Sequence, residues 1–392
     1  MSYSMEKSPL KLVYVTPALY MAGGVERVLT LKANYFAEHY AYDITIILTE
    51  GKNKPLFYPL SEKIKVVNLD INFEELWNCS FAKKVIVYLR KQRLFKKRLS
   101  TELKWISPDI TISLLRREIN FINEIKDGSK KIGELHINRA NYRNFNTEKV
   151  GLHKRLFAKV WSYSLLSHLK RLDHLVVLTE KDRESWVELN NVTVIPDPLS
   201  LYPQSVASLT KKRVVAIARY SHEKGIDLLL KSWKEVENNF VDWQLDVYGD
   251  GERTPYERLM DELGIDRTRC HLHGRTNDVE SEYCRSSISV LSSRFEGFGM
   301  VITEAMSCGL PVVAFDCPWG PRSIIKDGVD GLLAANGDVS DLARKMEMLM
   351  GDRQMLVSMS RSAVLNVQRY DIQHIAEIWK RLFEEIMASN HK

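Results

Sequence analysis

The sequence predicts an α/β protein built from two doubly wound parallel sheets. Short β-branched runs alternate with stretches of helical spacing along most of the chain. The alternation breaks once, at Ile195-Pro196-Asp197-Pro198-Leu199, where two prolines in three residues forbid a regular helix. At 392 residues, the chain is also longer than one ordinary core requires.

The first alternation opens with the strand Lys11 to Thr16, followed by Gly23-Gly24, a helical stretch from Val25 to Tyr40 and the strand Asp43 to Thr49. Strand, glycine loop, helix, strand is the unit of a parallel sheet. Asp109 to Leu114, Leu175 to Thr179 and Val192 to Ile195 read as further strands. A second alternation starts at Arg213 to Ala218 and continues through helix Asp227 to Asn238 and strand Gln244 to Tyr248. Ile288 to Ser292 and Pro311 to Phe315 are later strands, and Val339 to Met350 and Ile372 to Met387 are helical. The expected domains are 1–200, 201–370 and a C-terminal helix, 371–392, packing back toward the first domain. In such an arrangement the ligand site lies past the C-terminal ends of the strands, in a central cleft that both sheets face.

Composition narrows the classes. Hydrophobic residues at 45% and charged residues at 27% exclude a disordered chain. The formal charge of +6 suits an anionic partner. No run reaches the ~18–20 apolar residues of a membrane span, and Met1 to Leu12 has no apolar signal-peptide core. Five scattered cysteines (Cys79, Cys270, Cys284, Cys308, Cys317), none in Cys-x-x-Cys, argue against a disulfide scaffold or a zinc site. A cytoplasmic protein is expected, with no nucleic-acid recognition module.

Chemistry concentrates just after strands. Phe295-Glu296-Gly297-Phe298-Gly299-Met300-Val301 follows the strand ending at Ser292, with Glu304 eight positions beyond Glu296. Gly297 and Gly299 permit close backbone approach. A helix starting near Gly299 points its N-terminus at the same place. Arg219 and Lys224 follow the strand Arg213 to Ala218, where two cations can neutralise a departing diphosphate. His136 lies in Glu134-Leu135-His136-Ile137-Asn138, with Glu134 and Asn138 expected on its strand face.

The run Phe295 to Val313, FEGFGMVITEAMSCGLPVV, resembles the Glu-x7-Glu motif of retaining glycosyltransferases of family 4. In family order, Gly23-Gly24-Val25-Glu26-Arg27 resembles their N-terminal glycine loop, Arg219 to Gly225 their phosphate site and Val247 to Gly251 their Gly-x-Gly turn. The resemblance implies the GT-B fold of two Rossmann-like domains. It implies donor-binding roles for Gly23, Gly24, Gly249, Gly274, Arg275, Gly297, Phe298, Gly299, Met300, Val301 and Glu304. His136, Arg219, Lys224 and Glu296 become the catalytic candidates: His136 and Glu296 on the transferred sugar, Arg219 and Lys224 on the diphosphate. No metal and no cofactor are expected, since no Asp-x-Asp occurs; the nucleotide sugar, UDP-linked by preference and GDP-linked as the alternative, is a co-substrate.

Phe315 to Ile325 resembles the variant carried by bacterial enzymes of surface polysaccharides and lipid-linked glycans, with Ser323 where many relatives have Glu. Asp197 stands where relatives commonly have Asn, and reads as a hinge. Lys83 to Lys104 carries nine Lys/Arg against one Glu with apolar residues interleaved. This is a basic amphipathic stretch that fits either an anionic inner leaflet presenting a lipid-linked acceptor or a solvated helix face. The competing readings are a sugar-nucleotide epimerase on the same fold and a non-catalytic nucleotide-binding protein. A nicotinamide dehydrogenase is disfavoured because the first loop lacks Gly-x-Gly-x-x-Gly.

Overall fold

The computed structural model describes residues 9–78, 80–142 and 163–389. The readings placed on the extreme N-terminus and on Cys79 lie outside them. The chain divides into two compact units, Met1–Pro198 with Ile372–Lys392, and Leu199–Asp371.

The first unit holds a seven-stranded parallel sheet in the order β3-β2-β1-β4-β5-β6-β7. Its strands are β1 Lys11–Thr16, β2 Asp43–Leu48, β3 Lys65–Asn68, β4 Ile110–Ser113, β5 Lys130–Glu134, β6 His174–Val177 and β7 Val192–Val194. Alternate residues of β1 feed opposite faces, as the pleat requires. Leu12 and Tyr14 join a core with Leu29, Ala33 and Phe36 of helix α1 (Gly24–His39). Val13 and Val15 join another with Phe95, Leu99 and Leu103 of helix α2 (Phe81–Ile106). Burial on both faces explains why β1 is apolar throughout rather than alternating. The last helix, Ile372–Ala388, places Ile375, Ala376, Trp379, Leu382, Phe383 and Ile386 on one stripe and packs them into the α1 side of this core.

The second unit holds a six-stranded parallel sheet in the order β10-β9-β8-β11-β12-β13. Its strands are β8 Arg213–Ile217, β9 Gln244–Tyr248, β10 Cys270–His273, β11 Ile288–Leu291, β12 Val312–Phe315 and β13 Gly331–Ala334. Four strands, β3, β5, β10 and β13, are absent from the runs read in the sequence. β3 is largely exposed, β5 reads KKIGE with one strong strand former, and β13 reads GLLA without a β-branched residue.

In each sheet the order reverses once, between β1 and β4 and between β8 and β11. Loops leaving two such strands diverge to opposite faces and open a crevice at the C-terminal edge.

Candidate functional site

In the second unit the loops after β8 and β11 flank the reversal. The β8 loop enters a short 3-10 turn, His222–Lys224, then Gly225, which caps a helix over Ile226–Val236. Gly225 has φ +61, and a Cβ there would lie 2.0 Å from the Ser292 carbonyl oxygen. Only glycine lets these two loops cross so closely. The crossing brings Lys224 Nζ to 2.6 Å from Glu296 Oε1, and Ser293 Oγ donates to the same oxygen at 2.6 Å. Both charged side chains are largely buried. Ser292 Oγ donates to the Lys224 carbonyl, and Arg294 forms a two-pronged ion pair with Asp227 at 2.7 and 2.8 Å, tying the loops together again.

Gly249, after β9, answers a similar demand: its Cβ would lie 1.8 Å from the Ala218 carbonyl oxygen. Gly299, at φ +105, caps the helix Met300–Ser307, which starts where the sequence placed it. Glu304 is buried one turn in and accepts a hydrogen bond from Ser200 Oγ at 2.6 Å. The Cys317 thiol is pushed up to about 12 by burial and by the Glu296 carboxylate, against the opposing Lys224 charge. It is therefore a neutral wall of the site rather than a nucleophile.

Other predicted residues sit differently. Arg219 is two-thirds exposed and pairs with Glu223 at 3.1 Å, apart from the Lys224–Glu296 pair. The Phe298 ring is buried edge-on against Tyr370, which leaves only its backbone for a ligand. Gly274 and Arg275 lie on the exposed loop after β10, and a Cβ at Gly274 meets nothing within 4 Å. Met300 and Val301 open the helix, and the Val301 carbonyl accepts from Tyr283 Oη. Ser323 is spent locally, its hydroxyl donating to the Trp319 carbonyl. Gly320 packs on the Glu296 loop, where a Cβ would lie 2.4 Å from the Phe298 carbonyl oxygen.

The first unit carries a second constellation. Gly23 caps α1 at φ −85, so α1 starts directly from the glycine loop beside the β1/β4 reversal. Between two and three turns further on, Lys32 is buried, ion-paired with Glu134 and set 4.3 Å over the Trp379 ring. His136 lies between two carboxylates, with Nε2 3.1 Å from Glu134 Oε1 and Nδ1 3.3 Å from Asp197 Oδ1. The expectation that Glu134, His136 and Asn138 share a strand face is corrected. β5 ends at Glu134, and Asn138 caps a turn by accepting from the Asn141 backbone at 3.0 Å. Asp197, read as a hinge, is a buried partner of His136.

Lys32 and His136 face Glu134 and Asp197, so basic and acidic side chains alternate through the cluster. Burial opposes the charge on His136, but Asp197 and Glu134 outweigh it and lift the imidazole to about 9. Burial likewise opposes the Glu134 charge, and Lys32 and His136 hold that carboxyl down at about 2. His136 Nε2 is turned to Glu134 Oε1, and among the described residues Glu134 Oε2 has no hydrogen-bond partner.

The sign of the pH dependence follows. A histidine raised in the folded state stabilises fully below its ordinary value of about 6.5 and loses that contribution as pH rises toward about 9. The urea midpoint should therefore fall across this window, and the fall should shrink in Asp197→Asn, where one raising charge is gone. Equal falls in both proteins would show that Asp197 does not hold the imidazolium.

Residues 211–352 match the family model described as glycosyl transferases group 1. The chain is 29% identical over 92% of its length to an uncharacterized glycosyltransferase of Haemophilus influenzae, covering 96% of that protein. It is 25% identical over 96% of its length to a GalNAc-alpha-(1->4)-GalNAc-alpha-(1->3)-diNAcBac-PP-undecaprenol alpha-1,4-N-acetyl-D-galactosaminyltransferase of Campylobacter jejuni, covering 99% of it. A solved structure of a substituted S. aureus TarM, in complex with fondaparinux, alpha-GlcNAc-glycerol and UDP, superimposes with a TM-score of 0.73 at 17% identity, over 95% of this chain and 99% of that one. By its two sheets and these likenesses, the chain has the GT-B fold and is similar to bacterial glycosyltransferases, with residues 211–352 matching the group 1 model.

Proposed function

We propose that the chain is a retaining, metal-independent transferase that moves a hexose-type sugar from a nucleoside diphosphate, UDP by preference, to a lipid-linked glycan acceptor in bacterial glycan synthesis. The observation that carries this reading is the Lys224–Glu296 pair beside the N-terminus of helix Met300–Ser307, where the order of the second sheet reverses. A cation and a helix N-terminus together suit a diphosphate. A carboxylate beside them suits the hydroxyls of the attached sugar. The UDP complex of the similar TarM supports the nucleotide, and the substrate named for the Campylobacter relative supports the acceptor.

Retention through a covalent intermediate uses two carboxyls about 5 Å apart, one of them a free nucleophile. Glu296 is already engaged by Lys224 and Ser293, which favours a front-face reaction. In it the bond from the anomeric carbon to the diphosphate oxygen breaks while the acceptor oxygen bonds to that carbon on the same face. The acceptor proton passes to the departing phosphate oxygen. Lys224, with Arg219 turned from Glu223, stabilises the developing charge, and Glu296 fixes the sugar. Lys224→Ala and Glu296→Gln should each lower kcat by about 10²–10³ with the fold intact. The wild type should yield a product with the donor's anomeric configuration, at an unchanged rate in EDTA. An inverted product, or full activity in both variants, would overturn the reading.

Helix α2 supplies the route to a lipid-linked acceptor. Phe95, Leu99 and Leu103 are buried, whereas Val85, Ile86 and Leu89 are 46–61% exposed among the basic residues. Apolar side chains flanked by Lys and Arg match an anionic leaflet. Wild-type protein should co-sediment with vesicles containing phosphatidylglycerol, and Ile86→Glu with Leu89→Glu should abolish this. Equal sedimentation of the two proteins, or none by the wild type, would remove the membrane from the account.

A further inference from the structure

We infer that Asp246, His271 and His273, none of which belongs to the Lys224–Glu296 pair, form a binding site for a divalent cation of the zinc class. Asp246 on β9 pairs in register with His271 on β10, and His273 lies two residues on, so all three side chains share one face of the sheet. Asp246 Oδ1 is 3.2 Å from His271 Nδ1 and 2.6 Å from His273 Nε2. The three ligand atoms all lie within 4.8 Å of one another.

The surroundings orient these groups as a metal site requires. The other carboxylate oxygen, Asp246 Oδ2, accepts from Arg213 Nε at 2.6 Å and from Gln244 Nε2 at 3.0 Å, which turns Oδ1 toward the two imidazoles. Arg213 also donates to Glu282 at 2.9 Å and to Tyr248 Oη at 2.9 Å, so its charge is shared between two carboxylates. The Tyr248 ring stacks on His273 with centroids 4.3 Å apart. Such partners fix ring and carboxylate orientation around a metal. β10 is the edge strand and both histidines are about one-third exposed, which gives an ion a path in.

Two imidazoles aimed at one oxygen must otherwise both donate to it, His271 through Nδ1 and His273 through Nε2, which requires opposite tautomers. A cation bound to those two nitrogens and Oδ1 uses their lone pairs instead. Ligands about 2.0–2.1 Å from a tetrahedral ion require the shorter Asp246–His273 pair to widen, and three protein ligands leave a fourth position for water. Two imidazoles and one carboxylate select zinc-like ions over magnesium or calcium. The ion would bind β9 to β10 next to Tyr220, whose hydroxyl donates to the His273 carbonyl at 2.8 Å from the loop bearing Arg219 and Lys224.

The test is independent of sugar transfer. The full chain, stripped with a chelator, is titrated with Zn2+ by calorimetry and with Co2+ by visible absorption. One ion per chain is expected, with affinity falling at lower pH as protons compete for the ligand atoms. The double variant His271→Gln, His273→Gln should bind more than about tenfold more weakly. Should the double variant fail to fold, His271→Gln alone replaces it, with the same loss expected. No saturable binding by the wild type, or equal affinity in the folded variant, overturns the site.

Discussion

Everything at the proposed donor site depends on two loops crossing at the strand-order reversal of the second sheet. Parallel β8 and β11 send their connections to opposite faces, and the crevice between them closes only because Gly225 lets the Ser292 carbonyl approach. That crossing sets Lys224 against Glu296 at 2.6 Å with most of the water excluded. An ion pair held in this way is strong and also exacting, since removing either partner strands the other charge. A diphosphate arriving there would offer Lys224 a second anion and free Glu296 for sugar hydroxyls.

The first unit solves a different problem. Lys32, Glu134 and Asp197 are buried, the His136 side chain is largely so, and burial alone would drive the Glu134 carboxyl and the His136 imidazole toward their neutral forms. Their oppositely charged neighbours hold the first down and the second up, and the Trp379 ring adds its face to the Lys32 ammonium. Trp379 belongs to the last helix, so the C-terminal segment helps set the electrostatics around a residue over two hundred positions earlier in the chain. The cost of assembling such a network is recovered only where its geometry is used. Glu134 Oε2, without a hydrogen-bond partner among the described residues, marks where that use would occur.

Much of the fold was legible because buried parallel strands are continuous apolar runs and the Ile195 to Leu199 prolines punctuate them. Glu296, Lys224, Gly249 and Gly299 were legible because strand ends followed by glycine announce backbone crossings. Asp197 and Lys32 were not legible. Nothing local distinguishes a linker aspartate or a lysine in an amphipathic helix, and their roles come from contacts with residues 61 and 102 positions away, respectively. Arg219 sits apart from the Lys224–Glu296 pair, its guanidinium taken by Glu223, a partner that its spacing from Lys224 does not reveal. The Asp246–His271–His273 cluster was invisible for the same reason as Asp197, since β-sheet register, rather than sequence proximity, joins its members.

The most direct test is a calorimetric titration of UDP into the full chain and into Lys224→Ala, each with and without EDTA. The account predicts saturable one-site binding to the wild type that EDTA does not alter, weakened at least about tenfold when the charge-assisted contact is lost. Equal affinity in the two proteins, or no binding of UDP or GDP by the wild type, would contradict the placement of the donor diphosphate at Lys224.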